Sequence, residues 1–238
     1  MDRPFNLELQ ASWGTTEKET LKKYLLIYGY GRWRKIRESS GSTCRVLVEK
    51  SEAELRAFAN DFVRTLFENL QTEKNELKGF LLYLVQIDGQ AQFVHNPSKD
   101  WGELMRATPW AKRLQLLGRV QGLIDRFKEA KKIYLARPDR DPRVEMEFRT
   151  GNNLLNFLPH SMFYGQRPSV WWTQRHDIDL LFGTYKYGYA NYTAMRGDRK
   201  LSFYATEQVE CQFNEFPYAD NITRRLKKLV QIFGKSEF

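Results

Sequence analysis

The sequence predicts an all-α protein built from two related three-helix units that a long spacer helix joins. Apolar residues recur every three or four positions over long stretches, which is the period of an α-helix. The chain also repeats itself, because the Tyr-Gly-Tyr row at residues 28–30 returns at residues 187–189. At the same offset of 159 residues, Trp13 falls on Trp172. A chain of 238 residues is long enough for two such units, each with its own core.

The first unit is predicted over residues 12–70. Its first helix is expected to end at Gly29, because glycine adopts a positive φ without a steric penalty. A short second helix follows at about residues 32–38, and the third runs to the end of the unit with one apolar stripe: Leu55, Phe58, Phe62, Leu66 and Leu70. Capping boxes are predicted at the starts of the first and third helices: Thr16 with Glu19, and Ser51 with Glu54.

Residues 71–140 are predicted to contain a connecting helix at 76–87 and a long spacer helix at 110–137. The spacer helix places apolar residues on one side and lysines and arginines on the other. Residues 141–170 contain prolines and little periodicity, so we expect a connector there that is irregular but docked onto the rest of the protein.

The second unit is predicted over residues 171–234. Its short second helix lies near residues 191–196, and its last helix follows a charged insertion and is expected to be capped by Asp220. Aromatic residues at about twenty-residue spacing are interpreted as the cores of the two units: Trp13, Trp33, Trp172 and Tyr192.

Composition favours a polyanionic partner and provides no sign of catalysis. The chain carries 38 Lys and Arg against 29 Asp and Glu, a net charge of +9, which attracts nucleic acid, acidic membranes or acidic proteins. No apolar run approaches the roughly 18 residues of a membrane span, and the N-terminus does not resemble a signal peptide. We therefore expect a soluble intracellular protein with no membrane partner.

No cofactor, metal or enzyme activity is expected. Two cysteines and three histidines are scattered, and neither a phosphate-binding Walker sequence nor a Gly-x-Ser-x-Gly elbow occurs. A metal site is conceivable only where His176, Asp177 and Asp179 cluster. Adjacent helical positions point in different directions, so this cluster is interpreted as the solvent-facing start of a helix.

Two segments, one in each predicted unit, resemble a known family. Residues 171–203, WWTQRHDIDLLFGTYKYGYANYTAMRGDRKLSF, are similar to the SLIDE segment of chromodomain-helicase-DNA-binding chromatin remodellers, in particular their BRK-containing subfamily. Residues 13–37, WGTTEKETLKKYLLIYGYGRWRKIR, resemble the SANT segment that precedes it, and a Myb-like helix-turn-helix layout is common to both. The order of SANT, spacer and SLIDE is shared with imitation-switch remodellers. Residues 144–170 and 204–216 match nothing in this resemblance.

The resemblance implies binding of duplex DNA outside the nucleosome core, and the last helix has suitable residues. Its apolar face, with Ile222, Leu226, Leu229 and Phe233, is expected to point inward. Arg224, Lys227 and Lys228 point the other way, with Arg225 on the flank, and cations so placed are suited to phosphate contact. The DNA-binding residues are predicted to be Arg224, Arg225, Lys227 and Lys228, together with Lys186, Arg196, Arg199 and Lys200.

The third helix of the first unit has the opposite charge, a balance of minus two, and an acidic helix repels a phosphate backbone. We expect it to pack against the spacer or to bind a protein, with histone tails as one candidate. The residues proposed for protein contact are Glu52, Glu54 and Glu68. A secondary DNA contact from the side of the first unit would use Arg32, Arg34, Lys35 and Arg37.

The sequence therefore predicts a non-catalytic DNA-binding accessory of a chromatin remodeller, located in the nucleus and of low sequence specificity. Its expected partners are duplex DNA, nucleosomes or histones, and a motor ATPase in the same protein or in a separate subunit. The alternative is a protein-interaction platform for histones or remodeller subunits. A Myb-like transcription factor that reads sequence is the weaker alternative, because the last helix carries Gln231 as the one amide on its cationic face.

Overall fold

The computed structural model describes residues 13–43, 45–70, 75–87, 106–151, 154, 158, 163–204 and 215–235. Over these residues the protein is all-α and contains no strand, which confirms the predicted fold class. Among the helices they form, none combines the length and the apolar character that crossing a membrane requires.

The chain divides into two compact units, Met1–Leu117 and Gly118–Phe238. The boundary lies inside the long helix, whose first half contributes to one core and whose second half contributes to the other. The helices are α1 (Thr15–Tyr28), α2 (Trp33–Thr43), α3 (Glu52–Glu68), α4 (Asn75–Ile87), α5 (Ala107–Leu135), α6 (Pro142–Thr150), α7 (Gln174–Tyr187), α8 (Tyr192–Arg196) and α9 (Ala219–Lys235).

The sequence repeat is also a repeat of backbone geometry. An offset of 159 residues maps both ends of α1 onto both ends of α7, and it maps the start of α2 onto the start of α8. The glycines that end α1 and α7, Gly29 and Gly188, both have φ of 92°. Two residues later, Gly31 has φ of 85° and Ala190 has φ of 62°. The second unit therefore keeps the left-handed turn even where it has lost the glycine that makes this conformation easy.

The first unit is organised around α3, which is buried along most of its length. Trp13 stacks on Phe58 of this helix with ring centroids 4.1 Å apart, and Phe62 lies 6.0 Å from Trp110 of α5. Helices α4 and α5 add apolar residues to the same core, among them Leu81 and Leu114. Helices α1, α2, α4 and α5 thus all pack against α3.

Of the three predicted helix caps, the structure confirms one and contradicts two. The Ser51 box is confirmed, since the Ser51 hydroxyl accepts from the Glu54 N–H at 3.2 Å and Glu54 accepts from the Ser51 N–H at 2.8 Å. The predicted Thr16 box is wrong, because the N-cap of α1 is Gly14, two residues earlier, and Glu17 accepts from the Gly14 N–H at 3.0 Å. Glu19 forms an ion pair with Lys22. Asp220 also is no cap, because it lies inside the first turn of α9.

The expectation of an irregular connector over residues 141–170 is wrong for its first part, which forms α6. Asp141 caps this helix by accepting from the Arg143 N–H at 2.8 Å, Pro142 opens it, and Gly151 ends it with φ of 76°. Proline in the first turn lacks only an N–H that would be unpaired anyway. Phe148 attaches α6 to the core at 5.8 Å from the ring of Phe127.

The second unit, which includes α7, α8 and α9, has a core rich in aromatic rings. Trp172 is fully buried and lies 5.4 Å from the ring of Phe203. His176 packs among the same rings, and its Nδ1 accepts from the Thr173 N–H at 3.0 Å, so that it caps α7. Burial lowers the pKa of His176, which favours the neutral ring that this cap requires. All four aromatic residues predicted for the cores are buried: Trp13, Trp33, Trp172 and Tyr192.

Candidate nucleic-acid interface

The last helix, α9, has one apolar face and one charged face. Ile222, Leu226 and Leu229 are buried, as the 3.6-residue period predicts, and the side chain of Phe233 lies outside the described residues. At one edge of α9, the Tyr192 hydroxyl of α8 hydrogen-bonds the Thr223 hydroxyl at 2.7 Å. The buried face and this contact fix which side of α9 the solvent reaches.

The solvent-facing side of α9 carries three exposed cations and one exposed amide: Arg224, Lys227, Lys228 and Gln231. Arg224 donates to the Asn221 side chain at 2.7 Å, which holds its guanidinium along the helix. Neither Lys227 nor Lys228 forms an ion pair with any residue that the structure describes. We call these four residues the cationic face of α9. Its ammonium groups are available to an anion without first breaking an ion pair.

The prediction that Arg225 contacts DNA is wrong. Its side chain is only 2% exposed, because it is inserted between α9 and α7. The guanidinium forms a two-point ion pair with Asp177, one arm of which is the Nε donation at 2.8 Å. It also donates to the backbone carbonyls of Phe163 at 3.2 Å and Tyr164 at 3.3 Å. Arg225 is thus a structural residue that joins three segments of the second unit.

The interpretation of Asp177 and Asp179 as a solvent-facing helix start is wrong too, because each is only 1% exposed. Asp177 accepts from the indole N–H of Trp172 at 2.7 Å as well as from Arg225. Asp179 accepts from the Ser202 N–H at 2.7 Å and from Arg175 at 3.1 Å. Buried carboxylates are retained when polar partners replace their water, and Asp177 has three hydrogen bonds while Asp179 has two together with its ion pair to Arg175.

The other cations predicted for this site are partly occupied by contacts of their own. Lys186 lies 2.7 Å from Asp198, which also accepts from the Tyr187 hydroxyl. Burial opposes ionisation of Asp198, yet these hydrogen bonds and one from the Lys200 N–H lower its pKa to about 2. Hydrogen bonding to Asp198 correspondingly raises the pKa of Lys186. The Lys186 charge is therefore balanced locally.

Three further predicted cations belong to α8 and the turn after it. The Arg196 guanidinium lies 4.4 Å from the ring centroid of Phe216, a cation–π distance, and it is half-buried. Arg199 and Lys200 are exposed. The structure therefore leaves five of the eight predicted DNA-binding residues well exposed and without an ion pair among the described residues: Arg199, Lys200, Arg224, Lys227 and Lys228.

The corresponding face of the first unit is covered. Helix α3 packs under α4 and α5, and even its polar residues Asn60 and Arg64 are buried. Of the acidic residues proposed for protein contact, Glu52 pairs with Arg56 at 3.1 Å and Glu68 is exposed. Glu54 is held in its cap, where burial is outweighed by hydrogen bonds from Ser51 that lower its pKa. It is therefore not available to a protein partner.

The predicted secondary DNA contact on α2 is held by local interactions. Arg34 pairs with Glu38 at 2.8 Å, and the hydrogen bond from Arg34 lowers the pKa of Glu38. Lys35 lies 5.6 Å from the ring of Tyr28, and Arg37 donates to the Val48 carbonyl at 3.1 Å. Arg32 is half-buried. These side chains lie at the edge of the first unit and do not form an unpaired cationic face like that of α9.

Comparison with models of protein families and with curated proteins finds no match to this chain. Functional assignment therefore depends on the chemistry of the surfaces described above and on the resemblance noted from the sequence.

Proposed function

We propose that this chain is a non-catalytic module that binds duplex DNA through the cationic face of α9 with low sequence specificity. The observation that carries the proposal is the set of exposed cations on α9, Arg224, Lys227 and Lys228, opposite the buried residues Ile222, Leu226 and Leu229. Lysine and arginine on one face of a helix neutralise phosphates and release their counterions, which supplies affinity without reading bases.

The contrast with the first unit supports the choice of α9. Helix α3 occupies the corresponding place in its unit, but it is acidic and most of its residues between Leu55 and Leu66 are buried. A buried helix cannot enter a DNA groove without unfolding its own core. The second unit is also the more positively charged of the two. It has 20 Lys and Arg against 14 Asp and Glu, whereas the first unit has 18 against 15.

The resemblance to remodellers extends the proposal to a cellular context. It implies that the DNA is the linker beside a nucleosome, that histones are nearby, and that a motor ATPase acts in the same protein or in a separate subunit. A nuclear location follows from the same premise. The interaction-platform alternative would use the exposed acids on α3, of which Glu52 and Glu68 are accessible, and it does not require binding to bare DNA.

A salt titration tests the proposal directly. We expect the chain to bind duplexes of unrelated sequence with similar affinity, because phosphates are the same in all of them. If about 5 to 8 phosphates are neutralised, the logarithm of the binding constant should fall against the logarithm of salt concentration with a slope of roughly −4.5 to −7. Fluorescence anisotropy over a range of salt concentrations measures this slope. A slope near zero, or strong preference for one sequence, would contradict the proposal.

Neutralising the cationic face tests its location. Replacing Arg224, Lys227 and Lys228 by alanine should leave the fold intact, because all three are exposed. Affinity should fall for every duplex alike, and the salt slope should shrink by about 0.9 for each phosphate that is no longer neutralised. Anisotropy at several salt concentrations measures both quantities, and circular dichroism confirms folding.

The matched control removes the same charge from another part of the second unit. Lys132, Arg137 and Arg143 are exposed cations at the end of α5 and the start of α6, and their replacement by alanine lowers the net charge equally. We expect this variant to bind nearly as the wild type does. Equal losses of affinity in both variants would mean that the overall field, and not the α9 surface, attracts the DNA.

A further inference from the structure

A short segment next to α9, residues 163–165, is held in place by the buried arginine. Phe163 is itself buried, and its carbonyl and that of Tyr164 both accept from the Arg225 guanidinium. The same guanidinium is fixed by Asp177. The backbone of this segment is therefore positioned along the edge of α9 by the core of the second unit. The sequence predicted an irregular, docked connector over residues 141–170 without indicating what it packs against.

The segment borders the cationic face of α9 directly. Gly165 has φ of 96°, and a Cβ built on it would lie 1.9 Å from the Lys228 Nζ. The Lys228 ammonium therefore lies against the Gly165 backbone, in space that any other residue would fill. Glycine at this position allows both the left-handed backbone and the close approach of the lysine.

Beyond this contact, Tyr164 and the two residues that follow the segment present polar side chains to solvent. Tyr164 is 70% exposed, and Gln166 and Arg167 are exposed as well. Neither the Tyr164 hydroxyl nor the Arg167 guanidinium hydrogen-bonds any residue within the described part of the chain. Two donors of the types that contact DNA phosphates, a tyrosine hydroxyl and an arginine, thus lie one residue before and two residues after Gly165, the residue that Lys228 contacts.

We propose that residues 164–167 form a second line of contact with the duplex that α9 binds, in which the Tyr164 hydroxyl and the Arg167 guanidinium donate to phosphates. The inference rests on the proposed function. Arginine suits this role because its planar fork can grip one phosphate with two hydrogen bonds. The backbone positions imposed by Arg225 and Gly165 reduce the entropy lost on binding. Stacking on unpaired bases is less suitable, since it commonly uses several aromatic rings along a groove.

Two substitutions test the two donors. Tyr164→Phe removes only the hydroxyl and should weaken binding by about tenfold, the effect of one hydrogen bond to a charged group. It should leave the salt slope unchanged, because tyrosine is neutral. Arg167→Ala should weaken binding and reduce the slope by about 0.9, the value for one phosphate. Both are measured by anisotropy against a duplex of about 30 base pairs, with thermal unfolding as the check on folding.

Matched controls exist elsewhere in the chain. Tyr83→Phe removes the hydroxyl of a tyrosine that is 58% exposed on α4, and Arg143→Ala removes an exposed arginine of α6. Neither should change affinity or slope appreciably. If Tyr164→Phe and Arg167→Ala bind as these controls do, while the α9 triple variant is weakened, the second line of contact is wrong and the proposed function stands.

Two further outcomes would overturn the proposed contact. If Tyr164→Ala loses affinity and Tyr164→Phe does not, the ring makes the contact, and the proposed phosphate bond from the hydroxyl is overturned. If the wild-type chain fails to bind duplex DNA at all, both this inference and the proposed function are wrong.

Discussion

Replacing Asp177 with alanine is expected to destabilise the second unit by about 3 to 5 kcal/mol, the usual effect of leaving a buried charge without its partner. The Arg225 guanidinium would stay buried between α7 and α9 with no carboxylate opposite it. The indole N–H of Trp172 would lose its acceptor too. Urea denaturation followed by circular dichroism measures the loss of stability, and hydrogen exchange of the α7 and α9 amides localises it to this unit.

A double-mutant cycle separates the ion pair from its surroundings. Asp177→Ala, Arg225→Ala and the double variant should show a coupling energy well above the few tenths of a kcal/mol found for independent sites. Arg225→Lys should also destabilise, because an ammonium cannot reach both carboxylate oxygens and the two carbonyls that the guanidinium reaches. Asp139→Ala is the control, since Asp139 is exposed and should change stability by less than about 0.5 kcal/mol.

The same variants decide between a structural and a DNA-binding role for Arg225. If Arg225 bound a phosphate, its replacement would leave stability unchanged and the salt slope would shrink by about 0.9. Because Arg225 is buried, we expect the reverse. Its replacement should cause a large loss of stability, while the protein that remains folded should bind DNA with the wild-type salt slope. An Arg225→Ala protein as stable as the wild type would show that the buried ion pair contributes nothing.

Replacing Trp33 with alanine is expected to destabilise the first unit by about 3 to 5 kcal/mol, because the change leaves a large cavity in a small core. Trp33 is 4% exposed and packs edge-on against Tyr30, with ring centroids 5.0 Å apart. The loss of stability should appear in urea denaturation and as faster hydrogen exchange in α1, α2 and α3. Trp33→Phe should cost less, since a phenyl ring fills part of the space.

This variant also tests how the two units divide their roles. Trp33 lies far along the chain from α9, and the residues around it belong to the core of the first unit. DNA affinity measured under conditions where the second unit remains folded should therefore stay close to that of the wild type. A stable Trp33→Ala protein that no longer binds DNA would contradict both the structural role of this tryptophan and the assignment of binding to α9.

Much of the fold could be predicted from the sequence, because helices are specified by local signals. The period of apolar residues identified the buried side of α9, and the repeated Tyr-Gly-Tyr row identified a repeated unit, whose first helices, α1 and α7, both end at a glycine with φ of 92°. Asp141, Pro142 and Gly151 carried equally clear local signals for α6. The prediction missed α6 because it interpreted every proline of the connector as a helix breaker, although proline is favourable in the first turn of a helix.

The candidate site could be predicted only in part. The three cations that face away from the apolar stripe of α9, Arg224, Lys227 and Lys228, are exposed as the periodicity requires. Periodicity placed Arg225 at the edge of that stripe, and an edge residue is exposed or buried according to what packs beside it. The same limitation applies to Lys186, whose charge is balanced by Asp198, twelve residues further along the chain.

The sequence by itself thus determined the helical class, the repeat, the aromatic cores and the cationic face of α9. Only the tertiary structure decided that Asp177 lies opposite Arg225, 48 residues away, and that the Phe163 and Tyr164 carbonyls lie beside them. A charged side chain carries no local mark of burial, because the free energy of burying it depends on partners that distant parts of the chain supply. Arg225 could therefore be assigned its structural role only after α7, α9 and the segment before α7 had been placed together.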